Sequence, residues 1–174
     1  MNKGEIGGNV TSLFVECSRQ LLEEYWPRLR SCVESLSDEQ VWWRPNEACN
    51  SIGNLMLHLD GNVRQWIITG FSGAEDHRNR PAEFAARGSL SASALIEKLG
   101  NTVQEASAVI ARLSEADLTG PRNIQGYTNT GLGAVYHVIE HFAMHHGQIV
   151  YITKLLKADD LGFYRELNKT GRLP

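Results

Sequence analysis

Residues 136–151, YHVIEHFAMHHGQIVY, place imidazoles four residues apart inside a stretch that is otherwise strongly apolar. On an α-helix each residue advances by about 100°, so His137, His141 and His145 fall within about 80° of one another, with Gln148 close to His141. Ala134, Met144, Ile152 and Leu155 extend the stripe in apolar form, which predicts that the histidine face points into a core. A buried row of imidazoles needs partners, because unpaired polar groups are costly to desolvate. A divalent cation can be that partner: neutral imidazole ligates zinc, nickel and related ions, and a histidine pair at i, i+4 can hold one ion from a single helix. Hydrogen-bonded core histidines are the other reading, and this helix alone leaves both open.

The remaining apolar periodicity predicts three further helices. From Val10 to about Leu36, apolar residues including Phe14, Cys17, Leu21, Tyr25, Leu29 and Val33 recur at threes and fours, with a kink or break expected at Pro27. Ser37 and Gln40 have capping-box spacing for a short helical turn, and Pro45 closes it. A second long helix, SIGNLMLHLDGNVRQWIITG, has the stripe Ile52, Leu55, Leu59, Val63 and Trp66, with His58 and Asn62 at its edge and Gly70 as the expected stop. A third begins at Ser91 and buries Leu95, Leu99, Val103, Ala106, Ile110 and Leu113. The fourth is the histidine helix, with Thr128, Asn129 and Thr130 as candidate caps and Lys154 and Lys157 at its C-terminal end.

Two polar connections, residues 71–89 and 114–133, separate these helices; the first suggests a lid, a rim or a solvated crossover. Leu161, Phe163, Tyr164 and Leu167 are expected to dock the tail. With no strand pattern, the chain reads as an all-α four-helix bundle forming one domain, residues 1–174, whose site would be built between facing helices.

A formal net charge of −3 gives no support to a broad nucleic-acid footprint. Three cysteines, Cys17, Cys32 and Cys49, without CxxC spacing, argue against a disulfide framework and read as small core residues. No signal-like apolar segment opens the chain, and no uninterrupted apolar run of about 18 residues could span a membrane, so a cytoplasmic protein is expected. No Ser-His-Asp order, phosphate-cradling glycine loop or HExxH motif is present.

The chain resembles the DinB-like superfamily of DinB/YfiT-like metalloenzymes. The resemblance rests on WWRPN at residues 42–46, NSIGNLMLHLDGN at 50–62, DHRNRPAEF at 76–84 and HVIEHFAMHHGQI at 137–149. It implies an up-up-down-down bundle, often dimeric, with a three-histidine metal site at His58, His141 and His145. His137 falls outside that triad and is assigned, with Gln148 and Asn62, to support of the ligands or lining of the pocket. His146, about 100° from His145, suits a solvated or interface position.

Three neutral histidines leave a coordination position open, as in catalytic rather than structural zinc sites. Such an ion could lower the pKa of a bound water or hold a thiolate. The resemblance favours the thiol: characterised relatives include transferases for low-molecular-weight thiols. The expectation is therefore a zinc- or nickel-dependent enzyme transferring such a thiol to a small electrophile, with hydrolytic chemistry as a variant. A non-catalytic metal-binding stress-response or interaction bundle is the alternative. Arg44, Arg78 and Arg80 are candidates for a substrate carboxylate, since guanidinium binds it bidentately. Arg64 points away from His58, and Glu140 sits off the histidine face. A helix apolar on as many sides as the fourth, through Val138, Ile139, Phe142, Ile149 and Val150, is either deeply buried or shared with a partner subunit.

Overall fold

The computed structural model describes residues 8–171; residues 1–7 and the last part of the expected docking tail, 172–174, lie outside the described residues. Helix α1 (Val10–Glu34) starts where the Asn9 side chain accepts from the Ser12 amide at 2.9 Å. It continues without the expected break through Pro27. Pro27 faces solvent, so the hydrogen bond it cannot donate is lost on the side where water can replace it. Val10, Leu13 and Cys17 are exposed, and of the three cysteines only Cys32 is buried, which corrects the reading of Cys17 as a core residue.

Helix α2 (Asp38–Trp42) carries the Ser37–Gln40 capping box, and α3 (Ile52–Val63) opens with a second one formed by Ser51 and Asn54. Helix α3 runs directly into a π-helical turn, Arg64–Thr69, and then into α4 (Gly70–Ser72). The stop falls at Gly73, in the left-handed region at φ 71°, and not at Gly70. Gly70 is helical and serves a different need: a Cβ there would sit 2.8 Å from Ile124 Cδ1.

The two connections are more structured than their composition suggests. Inside the first, Asn79 caps α5 (Arg80–Ala85), with Pro81 in its opening turn. Helix α6 (Ala92–Ile110) then begins at Ser91 as expected. The second holds α7 (Glu115–Thr119) and an antiparallel hairpin of β1 (Pro121–Ile124) and β2 (Tyr127–Thr130), with Ile124 opposite Tyr127. This corrects the expectation of a strand-free chain. Gln125 and Gly126 turn the hairpin with φ of 55° and 78°, the double positive φ of a two-residue hairpin turn. Gln is not the Asn or Asp that usually advertises that turn, and four-residue strands carry little periodicity.

Helix α8 (Gly131–Lys157) is capped by Thr130 and ends at Ala158 in the left-handed region. Helix α9 (Arg165–Thr170) follows, and Leu161 and Phe163 pack against the core as the tail reading expects. Arg28 donates to the Tyr164 hydroxyl at 3.3 Å.

Leu22, Leu29 and Val33 of α1, Ile52, Met56 and Leu59 of α3, Leu95, Leu99 and Ile110 of α6, and Phe142 and Ile149 of α8 fill one core between four long helices. Helix α1 packs beside α6 and α8, and α3 beside the same two, so α1 and α3 face each other across the bundle. Side-chain contacts give the directions. Tyr25 meets His146 and Ser35 meets Lys157, so α1 and α8 run parallel. Trp26 lies against Gly100 and Arg19 reaches Ser107, so α6 is antiparallel to α1. Asp60 binds Thr102 and Lys98 while Arg64 binds Thr102 and Glu105, making α3 and α6 parallel.

The all-α four-helix bundle is therefore as expected, but its order is up-down-down-up and not up-up-down-down. Periodicity marks the apolar faces of a helix and says nothing about helix direction; the connections and cross-helix pairs decide that. Among the described residues no helix is long and apolar enough to cross a membrane.

Candidate metal centre

Because α3 and α8 are antiparallel neighbours, His58 projects between His141 and His145. His58 Nε2 lies 2.8 Å from His141 Nε2, which lies 3.2 Å from His145 Nε2. The ligand atoms of all three are within 4.8 Å of one another, an arrangement that could hold a metal ion.

The far side of each outer ring decides which nitrogen faces the centre. His58 Nδ1 lies 2.9 Å from Glu83 Oε2, and His145 Nδ1 lies 2.7 Å from Gln148 Oε1. Both partners are acceptors, so each Nδ1 carries the proton and each Nε2 presents a bare lone pair to His141. Arg78 Nη2 also approaches His58 Nδ1, at 3.1 Å, but it donates to Glu83 Oε2 at 3.0 Å and leaves that ring proton in place. One proton on His141 Nε2 can satisfy only one of its two neighbours. A cation bound by all three lone pairs resolves the conflict, and the donor set, three imidazoles of which His58 and His145 are held by outer hydrogen bonds, fits one.

Burial holds His141 far below the ordinary histidine range, at about 3, helped by the neighbouring His145, His58 and His137 rings and by Arg78. Burial also lowers His145, partly opposed by its bond to Gln148. Burial alone would raise Glu83, yet hydrogen bonds from His58 and Arg78 outweigh it and hold the carboxyl below its usual range. His141 and His145 are therefore held toward the neutral, ligand-competent form while Glu83 is held toward the charged one.

Glu83 is the functional residue that the sequence reading missed. Its α5 helix is fixed to α3 by Asn54 Nδ2, which donates to the Glu83 carbonyl at 2.9 Å and to the Ala86 carbonyl at 3.0 Å. Arg78 clamps the carboxylate from Nε at 2.7 Å and reaches Gln65 Oε1 at 2.8 Å. Arg78, with its side chain only 4% exposed, is thus committed to Glu83 and is not free for a substrate. The signal was present in DHRNRPAEF: an Asn cap, a proline in the first turn and an acid on the inward side of a short helix.

His137 stacks on His141 with centroids 5.3 Å apart and stays outside the convergent trio. Its Nε2 meets Asn62 Nδ2 at 3.3 Å, and burial lowers its pKa. The π-helical turn brings Trp66 against the same ring, with centroids 4.1 Å apart. His58, His137, His141, Asn62, Trp66, Arg78 and Arg80 line a cavity of about 860 Å³ whose other wall is Gln125, Tyr127, Thr128 and Asn129 of the hairpin region. Asn62 Oδ1 and Trp66 Nε1 are buried without a protein partner.

Arg80 sits at this cavity with its guanidinium 4.9 Å from the Phe84 ring centroid, and Phe84 in turn packs on His58. Arg44 is not among the lining residues and pairs with Glu47 at 2.9 Å. Arg64 is bound to Glu105 and Thr102, and Glu140 is exposed. His146 is half-buried against Tyr25, between α1 and α8. A larger groove, about 1290 Å³, runs between α1 and α6, but no histidine lines it; the ligating chemistry belongs to the smaller cavity.

A family model described as a protein of unknown function, DUF1572, matches residues 9–165. A conserved protein from Enterococcus faecalis has a similar fold at TM-score 0.69 and 18% identity, covering 88% of this chain and 100% of that one. A DinB-like protein from Bacillus cereus gives TM-score 0.64 at 15% identity, over 81% of this chain and 91% of that one. No curated protein matches the chain.

Proposed function

This chain belongs to the DUF1572 family within the DinB-like superfamily, and from that premise we propose a metal-dependent enzyme that transfers a low-molecular-weight thiol to a small electrophile in the cytoplasm. The observation that carries the metal reading is the convergence of three Nε2 atoms, with the His58 and His145 rings oriented from behind by Glu83 and Gln148. His58, His141 and His145 would hold zinc or nickel; imidazole accommodates either. When bound, the ion would supply the Lewis acidity that keeps a thiol, or in the hydrolytic variant a water, deprotonated near neutral pH.

The residues around it divide the remaining work. Glu83 and Gln148 fix the tautomers and ring planes of His58 and His145. Asn62 and His137 border the cavity and offer polar atoms to a bound molecule, and Arg80 offers a cation to a substrate carboxylate. The Trp66 ring and the hairpin limit the cavity opposite the histidines. Support for catalysis over a purely structural ion comes from His137: its nitrogen engages Asn62 and does not close the trio into a four-ligand site.

The test is metal content by mass spectrometry on tag-free protein, wild type beside His141→Ala, followed by turnover of thiol and electrophile panels. Near-stoichiometric zinc or nickel that disappears in the variant, with thiol-dependent turnover lost in parallel, supports the proposal. Absence of metal from the wild type even after reconstitution defeats it. Metal without turnover of thiol or hydrolytic substrates would favour the non-catalytic binding bundle.

A further inference from the structure

Asn54, His58, Gly61 and Gln65 recur at i, i+4, i+7 and i+11 along one helix run, so they share a face. None of them is apolar, and the Asn54, His58 and Gln65 side chains are buried. A core helix that gives a whole stripe to polar groups must supply each with a partner, because desolvating them unpaired is costly. On this stripe Asn54 holds the backbone of α5, and Gly61 leaves the space that the Glu83 carboxylate occupies. Gln65 stands at the far end, two turns beyond His58.

Both ends of the Gln65 amide are engaged. Oε1 accepts from Arg78 Nη1 at 2.8 Å, and Nε2 donates to Asp76 Oδ2. Asp76 decides which end faces the guanidinium: an ionised carboxylate only accepts, so the amide nitrogen turns to it and the oxygen is left for Arg78. Through its other oxygen Asp76 accepts from the Arg78 backbone amide at 3.0 Å. The Gln65 backbone is pinned as well. Its carbonyl accepts from the Gly70 amide, the five-residue bond of the π turn, and from the Thr69 hydroxyl at 2.8 Å; π turns inside helices are frequent at functional sites.

Arg78 grips Glu83 with Nε at 2.7 Å and Nη2 at 3.0 Å, a two-point fork that fixes the carboxylate relative to the guanidinium. The fork by itself leaves the pair free to move as a unit. The Nη1 bond removes that freedom, because Gln65 belongs to the same helix run as His58. Helix backbone, Gln65, Arg78, Glu83 and the His58 ring thus form a closed loop of contacts, in which a displaced guanidinium displaces the imidazole.

We propose that Gln65, its amide oriented by Asp76, is a positioning residue for the metal centre: it sets the Arg78–Glu83 pair and, through that pair, the His58 ring. This role rests on the metal reading above. Gln65 does not line the cavity, so its effect on the site runs through Arg78.

The test is titration of chelator-stripped full-length protein with cobalt(II), whose visible absorption reports the geometry of its ligands. Gln65→Met keeps the length of the side chain and removes both hydrogen bonds. Its cobalt affinity should fall about tenfold, the lower end of the range for a direct partner of a ligand, and its absorption should shift. Asp76→Ala, at an exposed position, should weaken binding in the same direction and by less. In a Glu83→Gln background, where the link to His58 is already weakened, both substitutions should lose most of their effect, whereas a general loss of stability would persist there. If Gln65→Met does not fold, Asp76→Ala decides by the same comparison. A wild type that binds no cobalt defeats the metal proposal and this role with it. A wild type that binds, with variants that keep its affinity and absorption or lose affinity equally in the Glu83→Gln background, overturns the positioning role alone.

Discussion

Glu83 accepts from the Nδ1 proton of His58 at 2.9 Å, so a residue of a six-residue helix in a polar connection sets the orientation of a ring in the core. That link ties the geometry of the histidine cluster to the placement of α5. Breaking it should weaken metal binding without touching a ligand.

Glu83→Gln keeps the shape of the side chain but removes the charge that fixes the His58 tautomer. Loss of such an outer hydrogen bond lowers metal affinity about 10- to 100-fold. Competition titration with a chromophoric chelator should show that drop. Equal affinity in the two proteins would mean that the carboxylate does not orient the ligand. Glu83→Ala should also destabilise the fold, by about 3–5 kcal/mol, because Arg78 would be left buried without its counter-charge.

Gly61 lies beneath the same pair. A Cβ at this position would overlap Glu83 Oε1 and come within 2.8 Å of Arg78 Nε, both pinned by mutual hydrogen bonds. Gly61→Ala should therefore displace the carboxylate and mimic part of Glu83→Gln in metal affinity. Overpacking of this kind costs about 1–3 kcal/mol, measurable as a lower urea midpoint. A more stable variant with unchanged metal affinity would show that the pair relaxes freely.

Ligand linkage gives a direct readout of the trio. Excess zinc at about 100 times its dissociation constant would stabilise a folded site by about 2.7 kcal/mol. The thermal midpoint of the wild type should rise on adding zinc and fall back with chelator. His58→Ala and His141→Ala should each lose the response while retaining helical circular dichroism. A full response in either variant would place the binding elsewhere.

The metal-free protein should lose stability as pH falls below the ordinary histidine range. Burial holds His141 of the folded chain at about 3, well below the ordinary histidine value of 6.5, so between those values the unfolded chain binds a proton that the native chain does not. His145 is shifted in the same direction by burial. Stability is thus fully present above pH 6.5 and declines toward pH 3, by up to about 1.4 kcal/mol per pH unit for each such proton. Glu83 adds its own loss only below the usual carboxylate range, because its folded value is depressed. Urea midpoints in chelator from pH 7.5 to 5 isolate the histidine contribution, and the slope should be shallower in His141→Gln. A flat profile in the wild type would contradict burial of neutral rings.

The sequence by itself determined what depends on near neighbours along the chain. The Ser37, Ser91 and Thr130 caps, the inward faces of α3 and α6, and the alignment of His141 with His145 follow from hydrogen bonds and spacings of three or four residues. Such features survive whatever the helices pack against. The motif around His58 also identified the third member of the cluster, although only as a resemblance.

Tertiary structure decided everything set by pairs far apart in sequence. The parallel course of α1 and α8, the closure of His58 on His141, and the commitment of Arg78 to Glu83 and not to a ligand arise from packing between elements. Met144 and Leu155 show the limit of periodicity: an apolar residue on a helix predicts burial only if another element covers that side. Helix α8 is apolar on more sides than its own bundle covers, so its spacing alone could not say which face holds the histidines in the core and which stays open to solvent.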